Sequence, residues 1–232
     1  MNDIYYKKTG RIVGILFIIG TVAGVLCVPF LSSLKAPNYL VEMGNNVISL
    51  QIGAILLLIM AFSLAMVPAF MYPILKEYNE PLGIGYIIFR SAVETCTVVI
   101  SVICLLLLSS LGAEYVAGGM QNTDRFQTLG GLLNTAYALP VSKYAWGVGA
   151  IIFYIALYKY KLIPRWISGW GLIAITLSMV SFVLVLFGLQ EDFDTASLIM
   201  NLPIAVQEMV MAVWFITKGF QITDDTLEGD AE

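Results

Sequence analysis

Residues 81–111 read PLGIGYIIFRSAVETCTVVISVICLLLLSSL, and Arg90 and Glu94 are the only charged side chains in this stretch. An apolar run needs about 20 residues to cross the hydrocarbon core of a bilayer. This run is long enough to cross it as a tilted or kinked helix. A charge deep inside such a run is costly, so Arg90 and Glu94 require an explanation from the rest of the chain.

The composition of the whole chain indicates a lipid environment. Of its 232 residues, 59% are hydrophobic and only 12% are charged, and the mean hydropathy is +0.86. Soluble domains carry about 25% charged residues. Since a chain of this size keeps much of its surface exposed, most of that surface must face lipid. We therefore predict an integral membrane protein whose main partner is the bilayer.

Six apolar runs are long enough to span a membrane, and turn-forming or charged residues separate them. They predict an all-α bundle of six transmembrane helices in one domain, residues 1–218, followed by an acidic, flexible cytoplasmic tail, residues 219–232. Pro140, together with Gly130 and Gly131, predicts a kink or break in the fourth helix. The runs are 12–31, 47–72, 81–111, 129–158, 166–189 and 197–217.

The distribution of basic residues predicts the orientation, because short cytoplasmic loops are enriched in Lys and Arg. With the N-terminus inside, only Lys35 and Arg125 fall outside. We therefore expect both termini in the cytoplasm. The basic residues on the predicted inner side are Lys7, Lys8, Arg11, Lys76, Lys159, Lys161, Arg165 and Lys218.

Several classes of function lack their usual residues. The chain has no histidine, and its three cysteines lie in apolar segments without the spacing of metal ligands. We predict no catalytic residues, no metal and no cofactor. The net charge of −4 comes largely from the C-terminal tail and offers nothing to nucleic acid, which we do not expect as a partner.

Four charged residues lie well inside the apolar runs: Arg90, Glu94, Lys143 and Glu208. Each charge costs about 2.5–3.5 kcal/mol at the bilayer centre, whereas a shared cluster of two positive and two negative side chains is neutral. Arg90 and Glu94 have the i,i+4 spacing of neighbours on a helix, with Glu94 roughly 20 Å into the membrane.

These charges predict a binding site at the bilayer midplane, formed by Arg90, Glu94, Glu208 and Lys143, with Asn201 two turns before Glu208. The alternative interpretation is a set of buried ion pairs that only fixes the register of the helices. Lys143 follows Pro140 and has its own alternative, which is to extend to the outer interface. We interpret the nearby aromatic residue Trp146 as a packing residue.

Four strings in this chain are distinctive: KKTGRIVGILFIIGTVAG (7–24), YPILKEYNEPLGIGYIIFRSAVE (72–94), YKLIPRWISGWGLI (160–173) and QEMVMAVWFITKGF (207–220). With these strings, the chain resembles a known family of bacterial multi-pass membrane proteins, domain of unknown function 4386 (DUF4386). The resemblance covers most of the chain and implies a helical protein of the bacterial inner membrane. It also implies that Arg90, Glu94 and Glu208 belong to the family pattern, whereas Lys143 has no matching position.

Three hypotheses for the function follow. The first is a site that binds or translocates a small polar or amphipathic solute, as in a transporter. The second is a non-catalytic accessory or sensing subunit, which could form an oligomer through the face of Gly20 and Gly24. The third is a metal-independent intramembrane enzyme acting on lipid, although no nucleophile motif supports it.

Overall fold

The computed structural model describes residues 3–138, 141–191 and 194–221, and all regular structure within these ranges is helical. A short 3₁₀-helix occupies Ser32–Lys35, and a π-helix, Ile87–Val93, separates the third and fourth α-helices. The α-helices in the described ranges are α1 Asp3–Phe30, α2 Tyr39–Asn45, α3 Val47–Tyr86, α4 Glu94–Ala117, α5 Thr123–Ala138, α6 Val141–Lys159, α7 Arg165–Leu186 and α8 Thr195–Thr217.

Five helical stretches among the described residues are long and apolar enough to cross a membrane. One of them, Val47–Ala117, contains 71 residues and would extend for about 106 Å if straight, more than three times the thickness of the hydrocarbon core. It is interrupted at Asn79, whose φ of −161° and ψ of 100° are not helical. Two crossings are therefore contained in this stretch, which reconciles it with the second and third of the six predicted runs.

The sequence around Asn79 explains the interruption of α3. The Asn79 side chain accepts a hydrogen bond from the backbone N–H of Leu82 at 3.0 Å, as an N-cap residue does. Pro81 follows in the first turn, where its missing N–H costs nothing. The Tyr72 hydroxyl donates to Glu80 at 2.9 Å across the bend. The segment Asn-Glu-Pro thus ends one helical segment and starts the next.

The chain forms two compact units, and the helices α1 and α3 contribute residues to both. Unit 2 consists of Ile19–Phe62 and Thr95–Leu139. In its core, Leu50 and Ala54 of α3 lie among Val102 and Leu105 of α4. Gly44 of α2 and Gly112 of α4 approach so closely that a Cβ on Gly44 would overlap the Gly112 carbonyl.

Unit 1 consists of Met1–Ile18, Ser63–Glu94 and Pro140–Glu232. Its helices also approach closely at glycines: a Cβ on Gly147 of α6 would overlap the Met179 sulfur of α7, and one on Gly171 would overlap the Tyr154 ring. Small residues at helix interfaces permit this close packing in lipid. All the residues of the candidate site described below belong to unit 1.

The outer faces of the helices carry large apolar side chains, such as Val25, Ile48 and Ile173, which are 66%, 73% and 74% exposed. Soluble monomers rarely expose so much apolar surface. Together with the length of the helices, this identifies a multi-pass membrane protein built as a helical bundle.

The predicted runs correspond closely to the observed helices at the C-terminal end, where α7 and α8 begin within two residues of the predicted starts. The fourth predicted run instead covers the second part of α5 and nearly all of α6. The expected break at Pro140 lies outside the described residues, as does the acidic segment 222–232. The orientation of the termini stays a prediction. Gly24, on the face proposed for an oligomer contact, packs against Met60 of α3 in the same chain. The oligomer itself stays a prediction.

Candidate functional site

Arg90 and Glu94 form a buried ion pair. Arg90 is 3% exposed and Glu94 9%, and Nη1 of Arg90 donates to both carboxylate oxygens of Glu94, at 2.8 and 2.7 Å. Because both bonds involve Nη1, this is not the parallel fork in which two nitrogens each donate once. Donors on the rest of the guanidinium are therefore oriented away from Glu94 and can serve a second acceptor.

The pair lies at a π-helix, which the sequence does not reveal. The backbone N–H of Glu94 bonds the carbonyl of Phe89, five residues earlier, so the turn that carries Arg90 is wider than an α-helical turn. The Ser91 hydroxyl holds this turn against α3 by donating to the Ala65 carbonyl at 2.6 Å. π-Helical turns are rare in proteins, but those that do occur are frequently found at functional sites.

Helix α6 reaches the π-helix through a glycine. A Cβ on Gly149 would lie 3.3 Å from the backbone nitrogen of Arg90 and 3.4 Å from its Cβ. An alanine at this position would require its neighbours to move by a few tenths of an ångström. Gly149 therefore lets the next part of the site, which α6 carries, come close to Arg90.

Glu208 of α8 lines the same cavity as Arg90. The indole of Trp146, on α6, is close enough to donate a hydrogen bond to the Glu208 carboxylate. The cavity offers about 10 Å³ to the centre of a water molecule, which is room for about one water. The aromatic side chains that line it are Phe17, Tyr86, Trp146, Phe153 and Tyr154.

The charges around this cavity do not balance. One guanidinium, Arg90, faces two carboxylates, those of Glu94 and Glu208. If all three are ionised, the cavity carries one surplus negative charge in an apolar environment, where an uncompensated charge is expensive. A proton or a cationic group at Glu208 would remove that surplus.

A second set of polar contacts fixes α8 next to the cavity. The buried Gln207 amide accepts a hydrogen bond from the Tyr154 hydroxyl at 2.6 Å and donates one to the Ile167 carbonyl at 3.0 Å. It thereby joins α6, α7 and α8. Since Gln207 precedes Glu208 directly, this bridge also fixes the direction in which Glu208 points.

Aromatic rings cover one side of the cavity. The Tyr86 and Phe153 rings are stacked with centroids 4.8 Å apart, and the Phe17 ring lies 6.1 Å from that of Phe153. These three side chains are at most 2% exposed. The stack therefore contributes large, buried aromatic surface to the wall of the cavity.

The other two predicted site residues lie elsewhere in unit 1. Asn201 donates to the Ser197 carbonyl at 2.8 Å and to the Ser181 hydroxyl at 3.3 Å. The Lys143 ammonium lies 5.4 Å from the centroid of the Phe182 ring. Neither residue lines the cavity of Arg90, so the structure brings Arg90, Glu94 and Glu208 together without Lys143 or Asn201.

Sequence reasoning missed four residues of the site. Tyr86 and Tyr154 carry no signal that distinguishes them from other aromatic residues of the helices, and Trp146 was assigned to packing alone. Gln207 could have been found, because it is an amide directly beside Glu208 in an apolar run. No group of acidic or cysteine side chains able to hold a metal ion occurs among the residues that the structure describes.

One family model matches the chain, that of "Domain of unknown function (DUF4386)", over residues 12–219. The match includes every residue of the candidate site. Comparison with curated proteins and with solved structures finds no match for this chain.

Proposed function

The chain belongs to the DUF4386 family, and we propose that it binds a small polar solute inside the bilayer, at the cavity of Arg90 and Glu208, and carries it across. The observation that supports this most is the shared cavity itself. It joins a paired arginine and glutamate from one helical hairpin to a second glutamate from α8. Ionisable side chains in a membrane span usually mark a pathway or a binding site.

The position of the charges along the helices favours a site near the middle of the membrane. Glu208 follows the start of α8 by thirteen residues and precedes its end by nine. Glu94 follows the bend at Asn79 by fifteen residues, about 22 Å along a helix axis. Both positions are well inside a hydrocarbon core about 30 Å thick, as the sites of transporters commonly are.

The charge and size of the cavity define the chemistry of the solute. The surplus carboxylate calls for a proton or a cationic group, and an anion would add to the surplus. Because the closed cavity has room for about one water, a proton or a cation the size of ammonium fits better than an amphipathic molecule. A larger solute requires the helices to separate.

The proposal can be tested with methylammonium as the probe, on protein in lipid nanodiscs. We expect methylammonium chloride to raise the unfolding temperature of the native protein above its value in the same concentration of sodium chloride. Glu208→Gln should remove the effect, because the amide has no charge to offer. Glu114→Gln is the matched control, since Glu114 is exposed and lies outside the cavity.

Translocation requires a second measurement. In proteoliposomes with an internal pH dye and a potassium gradient, valinomycin should drive proton entry faster with the native protein than with Glu208→Gln. If the two proteins give the same proton flux and the same response to methylammonium, the proposed function is wrong. A response to methylammonium without flux would limit the function to binding, as in a sensing subunit, and would contradict transport.

A further inference from the structure

A stripe of hydroxyl and amide side chains runs between α7 and α8. On α8, Ser197, Asn201 and Glu208 lie within an arc of about 40° of the helix surface, at 3.6 residues per turn. On α7, Ser178 and Ser181 are three residues apart and share a face. Ser178 and Ser181 are 0% exposed and Ser197 is 3% exposed.

The outer part of this stripe is one connected network. Asp194 caps α8 by accepting from the Ser197 backbone N–H at 2.6 Å, and Gln190 donates to Asp194 at 3.3 Å and to the Ser181 hydroxyl at 3.4 Å. Asn201 donates to the same Ser181 hydroxyl at 3.3 Å. The network thus extends from the first residue before α8 to about two turns into the helix.

Ser178 continues the stripe toward Glu208. Along α7, it lies between Ser181, which contacts Asn201, and Ile167, whose carbonyl contacts Gln207. The helices are antiparallel, so Ser178 falls between Asn201 and Glu208, which are about 10 Å apart along α8. Within the part of the chain that the structure describes, the buried Ser178 hydroxyl has no hydrogen-bond partner.

A buried hydroxyl without a partner is destabilising unless a water satisfies it. Along the helix axes, the Ser178 hydroxyl lies at a level between Asn201 and Glu208. An intermittent water at Ser178 would connect the two ends of the stripe by hydrogen bonds. We infer that the stripe between α7 and α8 is the passage by which water, and with it the proton or small cation, reaches Glu208 from the end of the bundle where α8 begins.

This inference rests on the proposed function for what passes, but the passage itself can be tested without it. In full-length protein with Cys27, Cys96 and Cys104 replaced by alanine, single cysteines would be introduced at Asn201 and at Ile199. Ile199 is 65% exposed on another face of α8, which we expect to face lipid. The protein would be in sealed vesicles, with a membrane-impermeant thiosulfonate added on the side where α8 begins.

A thiol reacts as the thiolate, which forms in water and not in lipid. We expect Asn201→Cys to react about tenfold or more faster than Ile199→Cys, because only the first lies on a hydrated route. Equal rates at the two positions would overturn the passage.

The role of Ser178 requires an isosteric comparison. In a Glu208→Cys background, Ser178→Thr keeps the hydroxyl, whereas Ser178→Val has the same shape without it. Both add the same volume, so any effect of overpacking is common to the two. We expect labelling of the cysteine at 208 to be about tenfold slower in the valine variant, since water loses its hydrogen-bonding partner. Equal rates in the two variants, or labelling only from the opposite side, would overturn the inference.

These results are separable from the proposed function. Labelling requires only water at the cysteine, and neither binding nor transport. The expected labelling pattern in a protein that shows no response to methylammonium would uphold the passage and reject the proposed function. A response to methylammonium that depends on Glu208, without the labelling pattern, would do the reverse.

Discussion

The Arg90–Glu94 pair permits a quantitative test, because the third charge in the cavity makes the two single substitutions unequal. Glu94→Leu leaves Arg90 facing Glu208, so the cavity stays neutral while the two hydrogen bonds to Nη1 are lost. Arg90→Leu leaves two carboxylates with no cation. Removing one partner of a buried ion pair costs about 3–5 kcal/mol when the other charge is stranded.

We therefore expect Arg90→Leu to lower the free energy of unfolding by about 3–5 kcal/mol. Glu94→Leu should lower it by only about 1–3 kcal/mol, the cost of hydrogen bonds lost to a charged group. The double variant keeps a single carboxylate, at Glu208. It should be no less stable than Arg90→Leu alone, which means a coupling energy of at least about 1 kcal/mol.

The assay is equilibrium unfolding in mixed micelles by titration with a denaturing detergent, for the native protein, both single variants and the double. Glu114→Leu, at an exposed position, serves as the control for loss of a carboxylate as such. Additive effects would show that the pair contributes nothing as a pair. Equal effects of the two single substitutions would show that Arg90 does not interact with Glu208.

Two further predictions concern packing and topology. Gly171→Ala should destabilise the protein by about 1–3 kcal/mol, because the new Cβ would overlap the Tyr154 ring. Gly169→Ala is the control: the atom nearest to its new Cβ is 3.6 Å away, so it should be neutral or slightly stabilising in the same detergent titration. A larger loss of stability for Gly169→Ala than for Gly171→Ala would refute the α6–α7 packing. A reporter active only outside the cytoplasm should be inactive when fused after Lys161 and active when fused after Thr123, and the opposite pattern would refute the predicted orientation.

The sequence was sufficient for the membrane class and for most of the helices, because length and apolar composition alone define a membrane span. It was less informative about local departures from the α-helix, which depend on backbone geometry. The π-helix at Arg90 has no sequence periodicity of its own, and the bend at Asn79 depends on a cap and a proline that many loops also contain. The short helix α2 contains only seven residues, too few for a periodic pattern to stand out.

The candidate site shows a similar division. The free-energy cost of a charged side chain in the hydrocarbon core identifies Arg90, Glu94 and Glu208 as residues that need partners. The i,i+4 spacing predicts that the first two lie side by side. Which helix faces which depends on packing at glycines such as Gly149, and a single sequence gives no information about it. Lys143 is an example: it lies in an apolar run as Arg90 and Glu208 do, but in the folded protein its ammonium lies near the Phe182 ring and does not line the cavity of Arg90.

We propose that Glu208 is the residue of the cavity that binds the exchangeable proton or small cation. Infrared difference spectroscopy of the protein in lipid, recorded across the pH range in which it stays folded, tests this most directly. We predict a carboxylic acid C=O band that titrates in the native protein and in Glu114→Gln and is absent in Glu208→Gln. A band that survives in Glu208→Gln, or a native protein without a titrating carboxyl band, would contradict the assignment to Glu208.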